Sequence, residues 1–211
     1  MKTMETPWRL EAECQSRGIT RVCGVDEAGA GPLAGPVYAA AVILDPEAIP
    51  EGLNDSKKLT EKQRETLYDR ICEQAVAWAV AWADVEEIEE MNILNARLLA
   101  MQRAMEALTP LAEFALIDGN RDHGDRVSLC MPHQTVVGGD GKSASIAAAS
   151  ILAKVSRDRY VCRVLDAQYP QYQFARHKGY GTRLHYEMLD RFGPCPAHRM
   201  SFLKKWKAGK P

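Results

Sequence analysis

The chain has no apolar run long enough to cross a membrane. Its longest uninterrupted stretches, Val37–Leu44 and Ala75–Ala83, stop far short of the ~18–20 residues a spanning helix needs. The first fifteen residues interleave Lys2, Glu5, Arg9, Glu11 and Glu13 with no apolar stretch. No signal peptide is therefore expected, and the protein reads as cytoplasmic with no membrane partner. The six cysteines, at 14, 23, 72, 130, 162 and 195, form no CxxC pair, which predicts reduced thiols rather than a disulfide framework. Repeats, low-complexity segments and Pro/Gly-rich linkers are missing as well, so 211 residues make one large domain or a core with a small appendage. A chain of that size buries roughly 70% of its unfolded surface and requires no metal or disulfide staple.

A large net charge is also absent. The sum is −1, which on its face argues against nucleic acid as a partner. That sum hides an asymmetry: residues 154–211 carry 13 Lys/Arg against 4 Asp/Glu, a balance of +9, and residues 1–153 carry −10. An electropositive surface beside a carboxylate-rich one is the expectation. Apolar residues at 46% and charged residues at 26% match a folded globular protein rather than a disordered one.

Local patterns predict interleaved strands and helices. Arg21–Asp26 and Val37–Leu44 read as strands joined by the Gly/Pro loop Ala28–Pro36, the second apolar enough to be covered on both faces. Thr60-Glu-Lys-Gln63 is a capping box opening a helix to about Gln74. Ala75–Ala83 alternates Val76, Trp78, Val80 and Trp82 with alanine, a period-two strand lying very close to another element. Its Trp78/Trp82 stripe is expected in the core rather than as a base-stacking platform. A helix over Asp84–Leu108, broken near Asn92, precedes Pro110. Phe114–Ile117 and Gln134–Val137 are short strands. Ser143 to about Ala167 is a helix with an alanine-rich start, and Thr182–Arg191 is another. The class is α/β with a mixed sheet.

Three predicted strands end in carboxylates: Asp26 and Glu27 before a glycine loop, Asp118 before Gly119-Asn120, and Asp140 after Gly138-Gly139. Ligands bind at strand ends in open α/β sheets. Carboxylates gathered there repel unless cations neutralise them, and an all-oxygen set suits Mg²⁺ or Mn²⁺. A pair of such ions can stabilise the attacking and leaving oxygens of an in-line phosphoryl displacement. Adjacent residues of a strand point to opposite faces, so Asp26 and Glu27 converge only if pairing ends there.

These residues carry a resemblance. Gly24-Val-Asp-Glu-Ala-Gly29 followed by Gly31-Pro-Leu-Ala-Gly-Pro36 is similar to the opening motif of ribonuclease HII. Asp55-Ser-Lys-Lys-Leu59, Asp118-Gly-Asn120, Gly139-Asp140, Ser145–Val155 and His177-Lys-Gly-Tyr180 follow in the family's order, so the resemblance runs from about residue 20 to 203. It implies a ribonuclease H-like mixed sheet flanked by helices, with a catalytic core over 1–165 and a basic C-terminal helical extension over 166–211. It implies an endonuclease; no obligate protein partner is inferred, and a monomer is expected. That enzyme cuts the RNA strand of RNA/DNA hybrids and cuts 5′ of single ribonucleotides in duplex DNA. Asp26, Glu27, Asp118 and Asp140 take the positions of the catalytic, metal-binding carboxylates for two Mg²⁺ or Mn²⁺ ions, with 3′-OH and 5′-phosphate products.

The substrate differs from DNA by a 2′-OH, and the resemblance gives its recognition to the main chain of Gly29-Ala30-Gly31. The family's loop has a basic residue between the glycines, where Ala30 stands here. Tyr180 matches the tyrosine that packs on the following deoxyribose. Lys57, Lys58, Lys142, Lys178 and Arg183 are candidate phosphate contacts, which position a duplex without reading its sequence. His177 is a candidate proton carrier or a structural hydrogen-bonding residue.

Other signals fall away. Gly141-Lys142-Ser143 lacks the earlier glycine of a P-loop, since Val136 stands there. Cys130-x-x-His133 and Cys195-x-x-His198 lie too far apart for a compact zinc finger. Two rivals share parts of the pattern: a DNA resolvase of related fold shares the acids, and a catalytically silent hybrid-binding protein shares the basic C-terminal region.

Overall fold

A computed structural model describes residues 8–53, 56 and 58–209 of the chain. Helix α1 (Arg9–Ser16), which no local signal announces, precedes β1 (Val22–Ala28) and β2 (Val37–Ile43). Then come α2 (Glu61–Gln74), β3 (Ala77–Ala83), α3 (Val85–Glu106), β4 (Phe114–Asp118), β5 (His133–Val136) and α4 (Ala144–Tyr160). The five strands form one sheet in the order β3-β2-β1-β4-β5. β1 and β3 run antiparallel to β2, and β4 runs parallel to both β1 and β5, the mixed sheet that the strand pattern predicts.

The capping box read at the start of α2 forms, with Thr60 and Gln63 closing it reciprocally. Asp84 and Glu87 close a second one, not read from the sequence, at the start of α3. The predicted break at Asn92 is a residue in the left-handed region (φ 68°). Its carboxamide oxygen accepts from the Leu94 and Asn95 N–H groups and restarts the helix.

One face of the sheet packs on α3 through Cys23, Val25, Ala39, Ala41 and Ile117 against Leu98, Met101 and Met105. The other packs on α4 and α2 through Ala28, Ala40 and Val42 against Ala144, Ala148, Ile151, Leu67 and Ile71. The alanine-rich start of α4 has a plain cause: a Cβ at Gly24 would lie 2.0 Å from the Ser145 backbone carbon, so the helix rests directly on β1.

One expectation is overturned. Trp78 and Trp82 are not core but 40% and 52% exposed. β3 is an edge strand, and the face it gives to α3 is the alanine face, Ala77, Ala79, Ala81 and Ala83. Close approach of that helix requires the small side chains. The tryptophans take the other side, where Trp82 stacks on Tyr38 and the Trp78 indole donates to the Cys72 carbonyl.

Beyond Tyr160, α4 continues through a wider π-helical turn, Val161–Leu165. The described residues that follow form short turns, the helix Arg183–Phe192 and a short helix Lys204–Ala208, gathered around Tyr172, Phe174, Leu189 and Leu203. This region packs on the glycine loop through Leu33 and Ala34. Three backbone bonds tie it there, Leu33 N–H to the Gly179 carbonyl, Gly35 N–H to the Ala197 carbonyl and Arg199 N–H to the Leu33 carbonyl, each 2.8 Å. Among the described residues, no helix is long and apolar enough to cross a membrane.

Candidate active site

Parallel pairing of β1 with β4 ends at Val25 and Ile117, so Asp26, Glu27 and Asp118 emerge side by side where these two central strands end. They share a cavity of about 280 Å³ with Gly29, Ala30, Gly31 and Tyr180. The expected way for Asp26 and Glu27 to converge needs correction. Pairing with β2 does not stop there but continues to Ala28 opposite Tyr38, and the pleat sends the two acids to opposite faces. Asp26 shares the α4 face with Gly24 and Ala28. Glu27 lies on the α3 side, where Arg97 of that helix comes within 3.5 Å. They meet at the cavity because both stand at its rim, not because they point the same way.

Asp26 is buried, and its carboxylate accepts the Glu27 N–H at 2.7 Å. Burial foremost, then the charges of Glu27 and Asp118, push its carboxyl well above the usual carboxylate range, and Asp140 adds to this. Asp118 accepts the Gly139 N–H at 2.6 Å, which links β4 to the 3₁₀ turn Gly139–Gly141. Asp140 is buried on that turn. It is not among the residues lining the cavity, although its charge is felt at Asp26.

Among the described residues, no three carboxylate, thiol or imidazole groups already converge as a closed metal cage. Glu27 leans to Arg97 and Asp118 to a backbone N–H, as like charges spread apart. Oxygen donors around a buried carboxylate nevertheless make a set suited to a hard divalent cation, not to zinc or copper.

The expected substrate-binding residues divide. Tyr180 is 40% exposed at the cavity; its ring lies 5.7 Å from the Lys154 ammonium and 5.8 Å from the Arg157 guanidinium. Lys58, Lys142 and Arg183 are exposed; Lys142 donates to the Val137 carbonyl and Arg183 pairs with Glu187. Lys178 is turned inward, donating to Cys162 Sγ (2.7 Å) and the Ala175 carbonyl (2.9 Å). Lys57 lies outside the described residues. His177 is buried, and among the described residues its ring bonds only to backbone groups, donating from Nε2 to the Tyr172 carbonyl and accepting the Gly179 N–H, which is the geometry of a structural role.

Sequence reasoning missed Arg64, Ser150 and Lys154, all lining the cavity. Ser150 and Lys154 had a signal: they are the polar pair four residues apart on an otherwise alanine-rich helix, hence on one face. Arg64, in the first turns of α2, had none.

The comparisons agree with the geometry. The family model for Ribonuclease HII matches residues 23–205. Ribonuclease HII of Dechloromonas aromatica is 61% identical over 181 residues, covering 86% of this chain and 90% of that one. Ribonuclease HII of Caldicellulosiruptor bescii is 48% identical over 200 residues, covering 95% of each. The crystal structure of the ribonuclease H2 from Pyrococcus horikoshii OT3 has the same fold, with a TM-score of 0.72 at 24% identity over 89% of this chain and 97% of that one. The acids at the strand ends and these matches lead to one conclusion: the chain belongs to the ribonuclease HII family and is a ribonuclease H of type 2.

Proposed function

We propose that this cavity hydrolyses the RNA strand of RNA/DNA hybrids and cuts 5′ of a single ribonucleotide in duplex DNA, leaving 3′-OH and 5′-phosphate ends. The observation that carries the reading is the juxtaposition of acids and glycine loop: Asp26, Glu27 and Asp118 line the same cavity as Gly29, Ala30 and Gly31. Asp26, Glu27, Asp118 and Asp140 would hold two Mg²⁺ or Mn²⁺ ions. Bound there, such ions supply Lewis-acid stabilisation of the attacking and leaving oxygens of an in-line displacement. Asp26, the most buried of these four acids, is held by the Glu27 N–H and stays aimed at the strand end. The glycine loop offers main-chain groups to the 2′-OH without an obstructing side chain. The exposed Tyr180 ring packs on the sugar that follows, favouring an RNA-to-DNA step. Lys154, Arg64, Lys58, Lys142 and Arg183 supply positive charge for the phosphates.

The test is a duplex carrying one ribonucleotide, incubated with Mg²⁺ or Mn²⁺. Cleavage 5′ of that ribonucleotide with the all-DNA duplex intact is the expected result. Cutting of all-DNA junctions, or binding without cutting, overturns it.

Ala30 gives a second expectation. No basic side chain reaches out from the middle of the loop, where Ala30 is partly exposed and lines the cavity. Ala30→Arg should tighten duplex affinity by roughly threefold to tenfold and steepen the salt dependence by about one phosphate contact. A titration at several salt concentrations, with steady-state kinetics, checks this; unchanged affinity, rate and salt slope would sink it.

A further inference from the structure

Two buried arginines with no carboxylate within bonding distance of most of their donors spend them on main-chain carbonyls around the glycine loop. Arg199, on the C-terminal region, is fully buried. Its Nη2 donates to the Gly29 carbonyl (2.7 Å), Nη1 to Ala30 (3.0 Å) and Nε to Gly35 (2.9 Å). Arg157, on α4, donates to the carbonyls of Ala34, Pro36 and Lys178. Its guanidinium lies so close to Gly29 that a Cβ there would stand 2.0 Å from Nε, and Gly29 itself has φ +94°.

Peptide geometry turns these contacts into a statement about the cavity. In a trans peptide the C=O and the N–H of the next residue point in opposite directions. With the Gly29 and Ala30 carbonyls aimed at Arg199, the N–H groups of Ala30 and Gly31 face away from it. Both residues line the acidic cavity, and among the described residues neither N–H has an intramolecular acceptor. A buried guanidinium is costly unless its donors are satisfied, and here the loop's carbonyls satisfy three of them.

We propose that Arg199 is a positioning residue for ribonucleotide recognition: by gathering the Gly29, Ala30 and Gly35 carbonyls on one side, it presents the Ala30 and Gly31 N–H groups to the substrate's sugar edge. The inference rests on the functional reading above and deepens it. The C-terminal region thereby contributes to discrimination from behind the loop, without touching substrate. Its rigid fork matters as well as its charge, since a lysine cannot reach three carbonyls in one plane.

The experiment has two independent arms. In the first, Arg199→Met and Arg199→Lys are compared with the unaltered protein on duplexes with one ribonucleotide and with none. Affinities are measured in an Asp118→Asn background, which should bind without cutting. Arg199→Met should lower kcat/KM by about 10²-fold, the scale of a small misplacement of reacting groups. It should bring the ribo/deoxy affinity ratio toward one while leaving all-DNA affinity within about threefold, since Arg199 contacts no phosphate. Lysine should restore less than tenfold of the loss. An unchanged ratio in folded Arg199→Met, or full rescue by lysine, overturns the proposal.

Should Arg199→Met fail to fold, an ester in place of the Gly29–Ala30 amide removes the Ala30 N–H and leaves Arg199 intact. The same loss of ratio is expected, and no loss overturns the proposal. In the second arm, amide hydrogen exchange at Leu33 and Gly35 should quicken at least tenfold in Arg199→Met; unchanged exchange overturns it. If the unaltered chain neither cuts nor prefers the ribonucleotide duplex, the functional reading falls while the exchange arm still decides whether Arg199 orders the loop.

Discussion

Asp26→Asn should lower kcat/KM for the ribonucleotide-containing duplex by at least about 10³-fold, at or beyond the top of the range for losing a single transition-state hydrogen bond. The same change should make the metal-free protein more stable. Asp26 is a buried carboxyl surrounded by acids, held above its ordinary titration range by burial and by Glu27 and Asp118. Asparagine keeps the shape and the oxygen that accepts the Glu27 N–H, and removes the charge. Relief of like-charge repulsion is worth about 1 kcal/mol near a partly solvated cavity, or roughly 2–4 °C in Tm for a chain of this size. Calorimetry with chelator and with Mg²⁺ separates the effects: the variant should melt higher than the unaltered chain without metal and gain less from adding it. A variant that cuts within tenfold of the unaltered rate would remove Asp26 from the chemistry.

Much of the site was legible because its signals are local. Asp26 and Asp118 stand at the ends of apolar runs, and a strand end in an α/β sheet is where ligands bind. Thr60-x-x-Gln63 and the Asn92 break act within a few residues of chain, so tertiary context had little to override. What stayed hidden depends on elements far apart in sequence. Alternation in β3 separates its tryptophan face from its alanine face, but only the strand order puts β3 at the edge and α3 against the alanines. The C-terminal excess of +9 was read as surface, yet Arg157 and Arg199 are buried and Lys178 turns inward. No composition distinguishes a lysine facing solvent from one folded back on a cysteine sixteen residues earlier.

Acidification from pH 7 to pH 5 should destabilise the protein by about 3 kcal/mol and lower Tm by roughly 6–12 °C, because three buried histidines must be neutral to complete one network. His185 donates from Nδ1 to the Tyr180 carbonyl at 3.0 Å, which leaves its Nε2 bare. That nitrogen accepts from Nε2 of His198 at 3.0 Å, and His198 Nδ1 in turn accepts the Cys195 N–H at 2.9 Å. His177 stacks on His185, donates to the Tyr172 carbonyl and accepts the Gly179 N–H. A second proton on any ring lands where an acceptor is needed.

Burial accordingly lowers all three, His185 and His198 to about 4 from an ordinary 6.5. The unfolded chain therefore takes up protons below pH 6.5 that the folded chain refuses until about pH 4. Stability is lost as pH falls through that window and is insensitive to these groups above it. At pH 5 each histidine of the bonded pair costs about 2 kcal/mol taken alone and somewhat less together. Asp26, raised rather than lowered, works in the opposite direction, so the scan belongs in the Asp26→Asn background. A Tm that stays flat between pH 7 and 5 in that background defeats the prediction. A His185→Asn/His198→Asn double variant should lose most of the slope whatever its Tm at pH 7. Since His185 holds the Tyr180 backbone and His198 adjoins Arg199, the acid-labile network and the support of the glycine loop are the same piece of the molecule. Cleavage should therefore weaken over the same pH interval in which this network loses stability.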